Sequence, residues 1–200
     1  MGLPCTGKST LLKEWEERGG SVVPEFVREV PLYVRDAWKS DPDVQLEAQK
    51  WILDQYRQKD EFIKGLDYDG PLLVERSPLD AVIYSRSFGG KVALFTDSEV
   101  VKRAWVPGKI ILLKASEEVL RERLMKERGF TYEEWQQDLA FSKVLESHYR
   151  SFEAEHGISS INTQQNIKET MYQLMTTMRE GTSYHIETLI ASRLSKERAF

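Results

Sequence analysis

Short apolar runs alternate with longer amphipathic segments along this chain, and the alternation is its main architectural signal. Four runs have the length and composition of strands, namely SVVPEFV (21–27), PLLVERS (71–77), KIILLKAS (109–116) and GISSINT (157–163). Pro24 places an unpaired position near the end of the first run. Strands that are separated by helices pair in parallel, so the pattern predicts a doubly wound α/β sheet of about five strands, flanked by helices.

Polar caps and glycine stops set the ends of the predicted helices. The helices expected on these signals are STLLKEWEERGG, which ends at Gly19-Gly20; one opened by Asp41-Pro42-Asp43 and running to about Gly65; one capped by Ser116 and ended by Gly129; one opened by the capping box of Thr131 and Glu134 and ending near Gly157; and NIKETMYQLMTTMRE. Residues 1–181 are therefore expected to form one domain, and residues 182–200 a C-terminal helical tail.

The composition is that of a globular protein, with 40% hydrophobic and 30% charged residues in a chain of 200. A net charge of −4 without a dense Lys/Arg cluster argues against nucleic acid as the main partner. The sequence contains neither an apolar run of membrane-spanning length nor a basic-apolar leader. The single cysteine, Cys5, excludes an internal disulfide framework. A cytoplasmic protein is the expectation.

Three histidines, His148, His156 and His185, have no ligand-like spacing to one another or to Cys5, so no bound transition metal is expected.

The first ten residues, MGLPCTGKST, contain the phosphate-loop pattern G-x-x-x-x-G-K-[ST] as Gly2, Gly7, Lys8 and Ser9. The glycines allow backbone N–H groups to point at one anion, and the following helix adds its positive end. Lys8 is expected to reach the β- and γ-phosphates of a nucleoside triphosphate, and the Ser9 hydroxyl to bind Mg²⁺. The residues expected to bind the nucleotide are Gly2, Cys5, Thr6, Gly7, Lys8, Ser9 and Thr10. Cys5 is interpreted as a small residue that fits the loop rather than as a catalytic thiol.

Only Met1 precedes this loop, which normally follows a buried central strand. Such a strand buries several apolar side chains, and each contributes about 1.5–3 kcal/mol. We therefore expect that the first strand is truncated and that the natural protein begins upstream.

Other segments select among the classes of nucleotide-binding protein. No N-K-x-D guanine signature is present, and the second apolar strand ends in VERSPLDAVIYSR rather than in a D-x-x-G switch, which argues against a GTPase. The later segment ASEEVLRERLMKERG carries Arg121, Arg123 and Arg128 on or near one helix. Arginines in such a segment can neutralise the charge that develops on a transferring phosphoryl group. Arg121 is interpreted as a solvated helix charge.

The order of these motifs resembles the thymidylate kinase and deoxynucleoside kinase group of P-loop kinases. The matching pieces are GLPCTGKST, PEFVREVP, VERS, the arginine-bearing ASEEVLRERLMKERG with the long helix that follows it, and GISSINTQQNIKETMYQL. They cover roughly residues 1–180. The resemblance implies a P-loop NTPase fold, ATP and Mg²⁺ as cofactors, and a nucleoside or nucleotide acceptor.

The resemblance also assigns roles to three residues at strand ends. Glu25 matches the carboxylate that acts as base toward the acceptor hydroxyl in nucleoside kinases. Glu75 matches the acid that helps to hold Mg²⁺ or the acceptor sugar, and Arg76 matches the arginine that stabilises the moving phosphate. From the residues alone, Glu25 is equally consistent with a solvated loop residue. For Glu75-Arg76 a surface salt bridge is the less favoured alternative.

By the same resemblance, Arg57 and Arg28 are expected near the acceptor, and Arg123 and Arg128 in a lid over the phosphates. The predicted lid has few arginines, because FTYEEW follows Gly129 where the family carries further arginines. Gln49 lies one residue away from the base-reading position of the family and is not assigned that role. Trp38 and Trp51 have the spacing of core residues as well as the chemistry to stack on a base.

Three classes of function follow. The first is an ATP-dependent phosphotransferase that moves the γ-phosphate to a nucleoside, a nucleoside monophosphate or another small acceptor. The second is a P-loop ATPase or nucleotide-dependent regulator without such an acceptor, and the third is a P-loop relic that acts as a binding partner. The expected partner is a small molecule, with neither nucleic acid nor membrane, and a homodimer is left open.

Overall fold

The structure is a computed structural model, and it describes residues 1–26, 30–35, 37, 40–129 and 131–197. At residues 35, 127, 128, 137, 138, 196 and 197 it describes the backbone alone. The helices of the described residues are α1 Lys8–Glu17, α2 Leu32–Arg35, α3 Pro42–Lys64, α4 Pro78–Phe88, α5 Gly90–Val101, α6 Glu117–Arg128, α7 Tyr132–His156, α8 Ile167–Glu180 and α9 Ile186–Glu197. The strands are β1 Ser21–Val23, β2 Leu72–Val74, β3 Gly108–Lys109, β4 Ile111–Lys114, β5 Ser159–Asn162 and β6 Ser183–Tyr184.

The chain divides into two compact units. Unit 1 comprises Met1–Val22 and Lys109–Thr182, and unit 2 comprises Val23–Gly108 and Ser183–Phe200. No helix in the described part of the chain has the length and apolar character that crossing a membrane requires.

Unit 1 is built around the parallel pair of β4 and β5, in which Ile111 lies opposite Ser159 and Lys114 opposite Asn162. The backbone of Met1 bonds to β4 as well: its nitrogen donates to the carbonyl oxygen of Ile111 at 2.8 Å, and its carbonyl oxygen accepts from the Leu113 N–H at 2.9 Å. The phosphate loop therefore starts directly at the backbone of β4. The buried side chains of the core around this pair include Leu112, Leu145, Phe152, Ile161, Met171 and Leu174.

Unit 2 is a helical assembly in which α3, α4 and α5 pack on one another and α9 packs on α5. The long helix α3 begins where the sequence predicts, because the Asp41 carboxylate accepts hydrogen bonds from the N–H groups of Asp43 and Val44 and Pro42 stands in the first turn. The tail helix α9 buries Ile186 and Ile190. An ion pair of Arg86 and Asp97, at 3.1 Å and almost fully buried, joins α4 to α5.

The predicted helix boundaries are confirmed at the caps. Ser116 accepts from the Val119 N–H at the start of α6, and Thr131 and Glu134 form the expected capping box of α7. The first strand is shorter than expected, since β1 ends at Val23, directly before Pro24, which has no N–H to donate to a ladder.

The α/β class with parallel strands is confirmed, but the strands pair two by two rather than as one sheet of about five among the described residues.

Candidate active site

The phosphate loop closes on itself through residues with positive φ angles. Gly7 stands before α1 with φ 83° and ψ 16°, and Cys5, which is not a glycine, has φ 57°. The N-cap residue Gly7 has no side chain to accept a hydrogen bond from the first turn of α1. The N–H groups of this turn are therefore directed toward the space in which an anion would bind.

Gly2 is required by the close approach of the loop to β4. Its φ is +137°, and a Cβ atom at this position would lie 2.5 Å from the carbonyl oxygen of Leu113. Because that oxygen belongs to the backbone of a strand, it cannot move aside as a flexible side chain would. The first glycine of the motif therefore sets how closely the loop approaches the sheet.

We expect Gly2→Ala to destabilise the protein by about 4 kcal/mol, since the backbone strain and the forced displacement of the strand add. Gly19→Ala is the matched control, because Gly19 has φ +84° but no atom within 4 Å of an added Cβ. The control should lose only about 1–2 kcal/mol. Chemical denaturation of the two variants measures both values, and equal losses would contradict the contact with Leu113.

Lys8 lies folded over the loop. Its ammonium group donates to the carbonyl oxygens of Gly2 at 3.1 Å and Leu3 at 2.7 Å, and to the Thr6 hydroxyl at 3.3 Å. Thr6 is itself buried and donates to the Leu3 carbonyl at 2.9 Å. The ammonium group of Lys8 thus contacts neutral oxygen acceptors at the N-terminus of α1. An anion bound there would accept a charge-assisted hydrogen bond from it.

Arg123 on α6 contacts the same loop from the outside. Its guanidinium donates to the carbonyl oxygen of Cys5 at 3.1 Å and to the carbonyl oxygen and hydroxyl of Thr163, just after β5, at 2.8 Å and 3.4 Å. In this structure Arg123 therefore ties the loop to the end of β5, and its expected role over the phosphates stays a prediction. The side chain of Arg128 lies outside the described residues, as does Arg28.

A second cluster, in unit 2, forms where β1 and β2 end. The N–H of Glu75 donates to the carbonyl oxygen of Val23 at 2.9 Å, so the residues that follow the two strands come together. The Nε of Arg76 pairs with Oε2 of Glu25, and the other side of the guanidinium lies 3.8 Å from the Asp80 carboxylate. The ion pair that joins Glu25 to Arg76 is thus a consequence of the strand pairing.

Asp80 is the acid of this cluster that the sequence analysis missed. It is 1% exposed, and its carboxylate accepts from the Ser77 N–H at 2.9 Å as half of the capping box that begins α4. The spacing S-x-x-D in SPLD carries that signal, which is a recognised variant of a helix start.

Helix α3 supplies Lys59 and Tyr56 to the cluster. Lys59 is 2% exposed, and its ammonium donates to the carbonyl oxygens of Glu75 and Arg76. Arg57, which was expected near the acceptor, instead pairs with Glu99 of α5 at 2.8 Å and is 36% exposed. Arg57 lies about 100° from Tyr56 around the axis of α3 and pairs outside this cluster, and its expected place near the acceptor stays a prediction.

Periodicity could have identified Lys59. Gln49, Leu53, Tyr56 and Lys59 follow the spacing of one helix face, and all four are buried. The Oε1 of Gln49 has no hydrogen-bond partner among the described residues. Trp51 packs against the small apolar cluster of Val34, Ala37 and Ala48, so its core interpretation holds, while Trp38 lies outside the described residues.

Burial shifts the pKa values of this cluster. Burial raises the pKa of Glu25 above its usual value, and although Arg76 and Lys59 act against that shift, the carboxylates of Asp80 and Glu75 reinforce it. Burial likewise lowers the pKa of Lys59 to about 8 and raises the pKa of Tyr56 well above its usual range. A carboxylate that is costly to ionise, beside a guanidinium, has the properties of a general base.

The raised pKa of Glu25 predicts a stability that depends on pH. Its folded-state pKa lies above the usual 4.5, so ionised Glu25 costs stability at pH 7, and the cost disappears as pH falls toward 4.5. Glu25→Gln, which mimics the protonated acid, should therefore unfold at a higher temperature than the original protein at pH 7. The difference should shrink toward pH 4.5 in thermal unfolding scans. A less stable variant at pH 7 would show that the pair with Arg76 outweighs burial.

The described residues contain no group of three or more His, Cys, Asp or Glu side chains that could hold a metal ion. Mg²⁺ does not need such a group, since it keeps several waters and is bound through one or two protein oxygens together with phosphates. Ser9 offers an exposed hydroxyl in the first turn of α1, and Glu75 offers a carboxylate directly after β2. Both donor types fit Mg²⁺.

A model of the AAA domain family matches residues 1–169, which include the phosphate loop, both strand-end motifs and Arg123 of α6. The chain belongs to the AAA domain family. Among solved structures, this AAA domain is similar to the deoxyadenosine kinase from M. mycoides with the products dCMP and a flexible dCDP bound, with a TM-score of 0.67 and 18% identity over 90% of this chain and 96% of that one. The same enzyme with bound dATP gives a TM-score of 0.66 and 18% identity over 90% and 97%.

The thymidylate kinase from Candida albicans is also similar, with a TM-score of 0.65 and 13% identity over 89% of this chain and 88% of that one. No curated protein matches the sequence of this AAA domain. At these identities the likeness shows the fold, and it confirms the resemblance to the thymidylate kinase and deoxynucleoside kinase group at that level.

Proposed function

We propose that this protein is an ATP- and Mg²⁺-dependent phosphotransferase that moves the γ-phosphate of ATP to the hydroxyl of a nucleoside. The observation that carries the proposal is the partly buried ion pair of Glu25 and Arg76 at the ends of β1 and β2. In transfer to a nucleoside, Glu25 takes the proton of the attacking hydroxyl and Arg76 beside it stabilises the moving phosphoryl group. The kinase structures with bound nucleotides support the substrate class.

Each unit has its own task in this proposal. In unit 1, the N–H groups of the loop and Lys8 bind the phosphates of ATP, while Ser9 holds Mg²⁺, which neutralises phosphate charge when bound. In unit 2, Glu25 accepts the proton of the acceptor hydroxyl while the hydroxyl oxygen bonds to the γ-phosphorus. The bond from that phosphorus to the oxygen of the β-phosphate then breaks, and ADP leaves. Arg76 stabilises the negative charge on the phosphoryl group in transit.

Charge favours a neutral acceptor. The cluster in unit 2 combines the carboxylates of Glu25, Glu75 and Asp80 with the cations of Arg76 and Lys59, so negative charge is in excess. A nucleoside monophosphate brings two more negative charges, and Arg57 is already paired with Glu99. A nucleoside hydroxyl meets no such repulsion and uses the base that Glu25 provides.

The test is a transfer assay with ATP labelled at the γ-phosphate against panels of nucleosides and nucleoside monophosphates. We expect labelled nucleoside monophosphate with at least one nucleoside and no labelled diphosphate. Transfer to monophosphates alone would overturn the choice of acceptor. ATP hydrolysis that no acceptor accelerates would favour the ATPase or regulator, and absence of any thermal shift with ATP would favour the relic that only binds a partner.

A further inference from the structure

Lys59 is an unusual residue to find buried. It lies on the inner face of α3 and is 2% exposed. Moving an ammonium group out of water is costly, and the cost is repaid only where good acceptors surround the charge. The acceptors here are two backbone carbonyl groups, those of Glu75 and Arg76, the latter at 3.4 Å. The Phe26 ring also lies beneath the ammonium, with its centroid 5.9 Å away.

These two carbonyl groups belong to the segment that needs external support. β2 ends at Val74, so Glu75 and Arg76 lie beyond the strand. Arg76 is also in the left-handed region, with φ 63°, where a side chain of this size is strained. Such a conformation persists only where the surrounding structure fixes it. Lys59 contacts both carbonyl oxygens of the turn.

The turn decides where the guanidinium points. With this backbone conformation, the Nε of Arg76 meets Glu25 and the guanidinium lies near Asp80. Tyr84 of α4 flanks it, with the ring centroid 5.8 Å from the guanidinium carbon. If residue 76 returned to negative φ, its side chain would leave in another direction, and Glu25 would lose its partner.

We propose that Lys59 is a positioning residue, which fixes the strained turn at Arg76 and thereby holds the Arg76 guanidinium on Glu25. Its part in phosphoryl transfer rests on the proposed function, whereas its part in fixing the turn does not. Lys59 acts through the carbonyl groups of the turn and not by touching a substrate. The position requires a positive charge with at least two donors, so arginine is expected to replace Lys59 in part and methionine not at all.

The first test needs neither ATP nor acceptor. The Nε–H of Arg76 is protected from exchange with water while it pairs with Glu25, and NMR of the ¹⁵N-labelled protein measures that exchange. We expect Lys59→Met to accelerate it by about tenfold or more, corresponding to a tenfold rise in the unpaired population. Lys50→Met on the same helix is the control, since Lys50 pairs with Glu47 on the exposed face. Unchanged exchange in folded Lys59→Met would overturn the proposal.

If Lys59→Met does not fold, the same exchange rate is measured in Lys59→Gln. The glutamine amide retains hydrogen-bond donors but has no charge. Partial protection is expected for this variant, between the original protein and the fully exchanging state. Protection equal to that of the original protein would overturn a requirement for the ammonium group.

The second test separates positioning from a structural role. We expect Lys59→Met to lower kcat by about 10²-fold with an unchanged KM for ATP, because a small misplacement of a reacting group has that effect. Lys59→Arg should recover at least tenfold of the loss. Equal loss in both folded variants, or a matching rise in the KM for ATP, would contradict the positioning role. An original protein without transfer activity would overturn the proposed function alone, since the exchange experiment still tests Lys59.

Discussion

Lys8→Ala should weaken the binding of ATP by about a hundredfold, which corresponds to about 2.7 kcal/mol. The lysine is the charged group of the loop interior, where its ammonium is held by the carbonyl oxygens of Gly2 and Leu3. On binding, its charge-assisted contact to the phosphates replaces contacts to neutral carbonyl oxygens, and alanine offers neither. Isothermal titration with ATP and Mg²⁺ measures the change.

Lys13→Ala is the matched control for this prediction. Lys13 lies on the same helix, but its side chain is 76% exposed and its ammonium lies 3.7 Å from Glu17. Surface pairs of this kind contribute little, so ATP affinity should stay within a factor of two. If Lys8→Ala binds ATP as the control does, the loop is not the nucleotide site and the proposed function fails with it.

Arg76→Ala should lower kcat by about 10³-fold while the affinity for ATP changes less than twofold. The proposed role of the guanidinium is to stabilise negative charge that develops only in the transition state. Loss of one such stabilising group has an effect of this size. Single-turnover transfer and ATP titration measure the two quantities separately. Equal losses in turnover and in ATP binding would assign Arg76 to ground-state binding instead.

Two further variants make the result of Arg76→Ala specific. Glu25→Gln removes the proposed base and leaves the guanidinium, and its turnover should fall by about 10²–10³-fold. Arg18→Ala removes an exposed guanidinium from its pair with Glu14 and should leave turnover unchanged. The greater thermal stability expected of Glu25→Gln at pH 7 means that its lost turnover cannot be attributed to unfolding.

Local signals in the sequence were read correctly where neighbouring residues alone decide the structure. Asp41, Ser116 and Thr131 cap α3, α6 and α7 as predicted, because a capping hydrogen bond joins residues two or three positions apart. Helix α4 escaped prediction although Ser77 and Asp80 carry the same kind of signal.

The site was predicted less completely than the helix ends. Glu25, Glu75 and Arg76, which the motifs singled out, lie in one cluster, whereas on α3 the sequence indicated Arg57 and not Lys59, which contacts that cluster. Side chains two positions apart on a helix point about 200° apart around its axis. Which of the two cations enters the cluster therefore depends on which face of α3 is buried. That choice depends on what packs against the helix.

The sequence by itself determined the phosphate loop, the class of fold and the residues that close the strands, because spacing along the chain specifies each of them. Only the tertiary structure decided which charges lie together, away from most of the solvent. Glu25, Arg76, Asp80 and Lys59 are brought together by the pairing of β1 with β2 and by the inner face of α3. Burial shifts the pKa values of Glu25 and Lys59 in opposite senses, and burial is a property of contacts between segments that are distant along the chain.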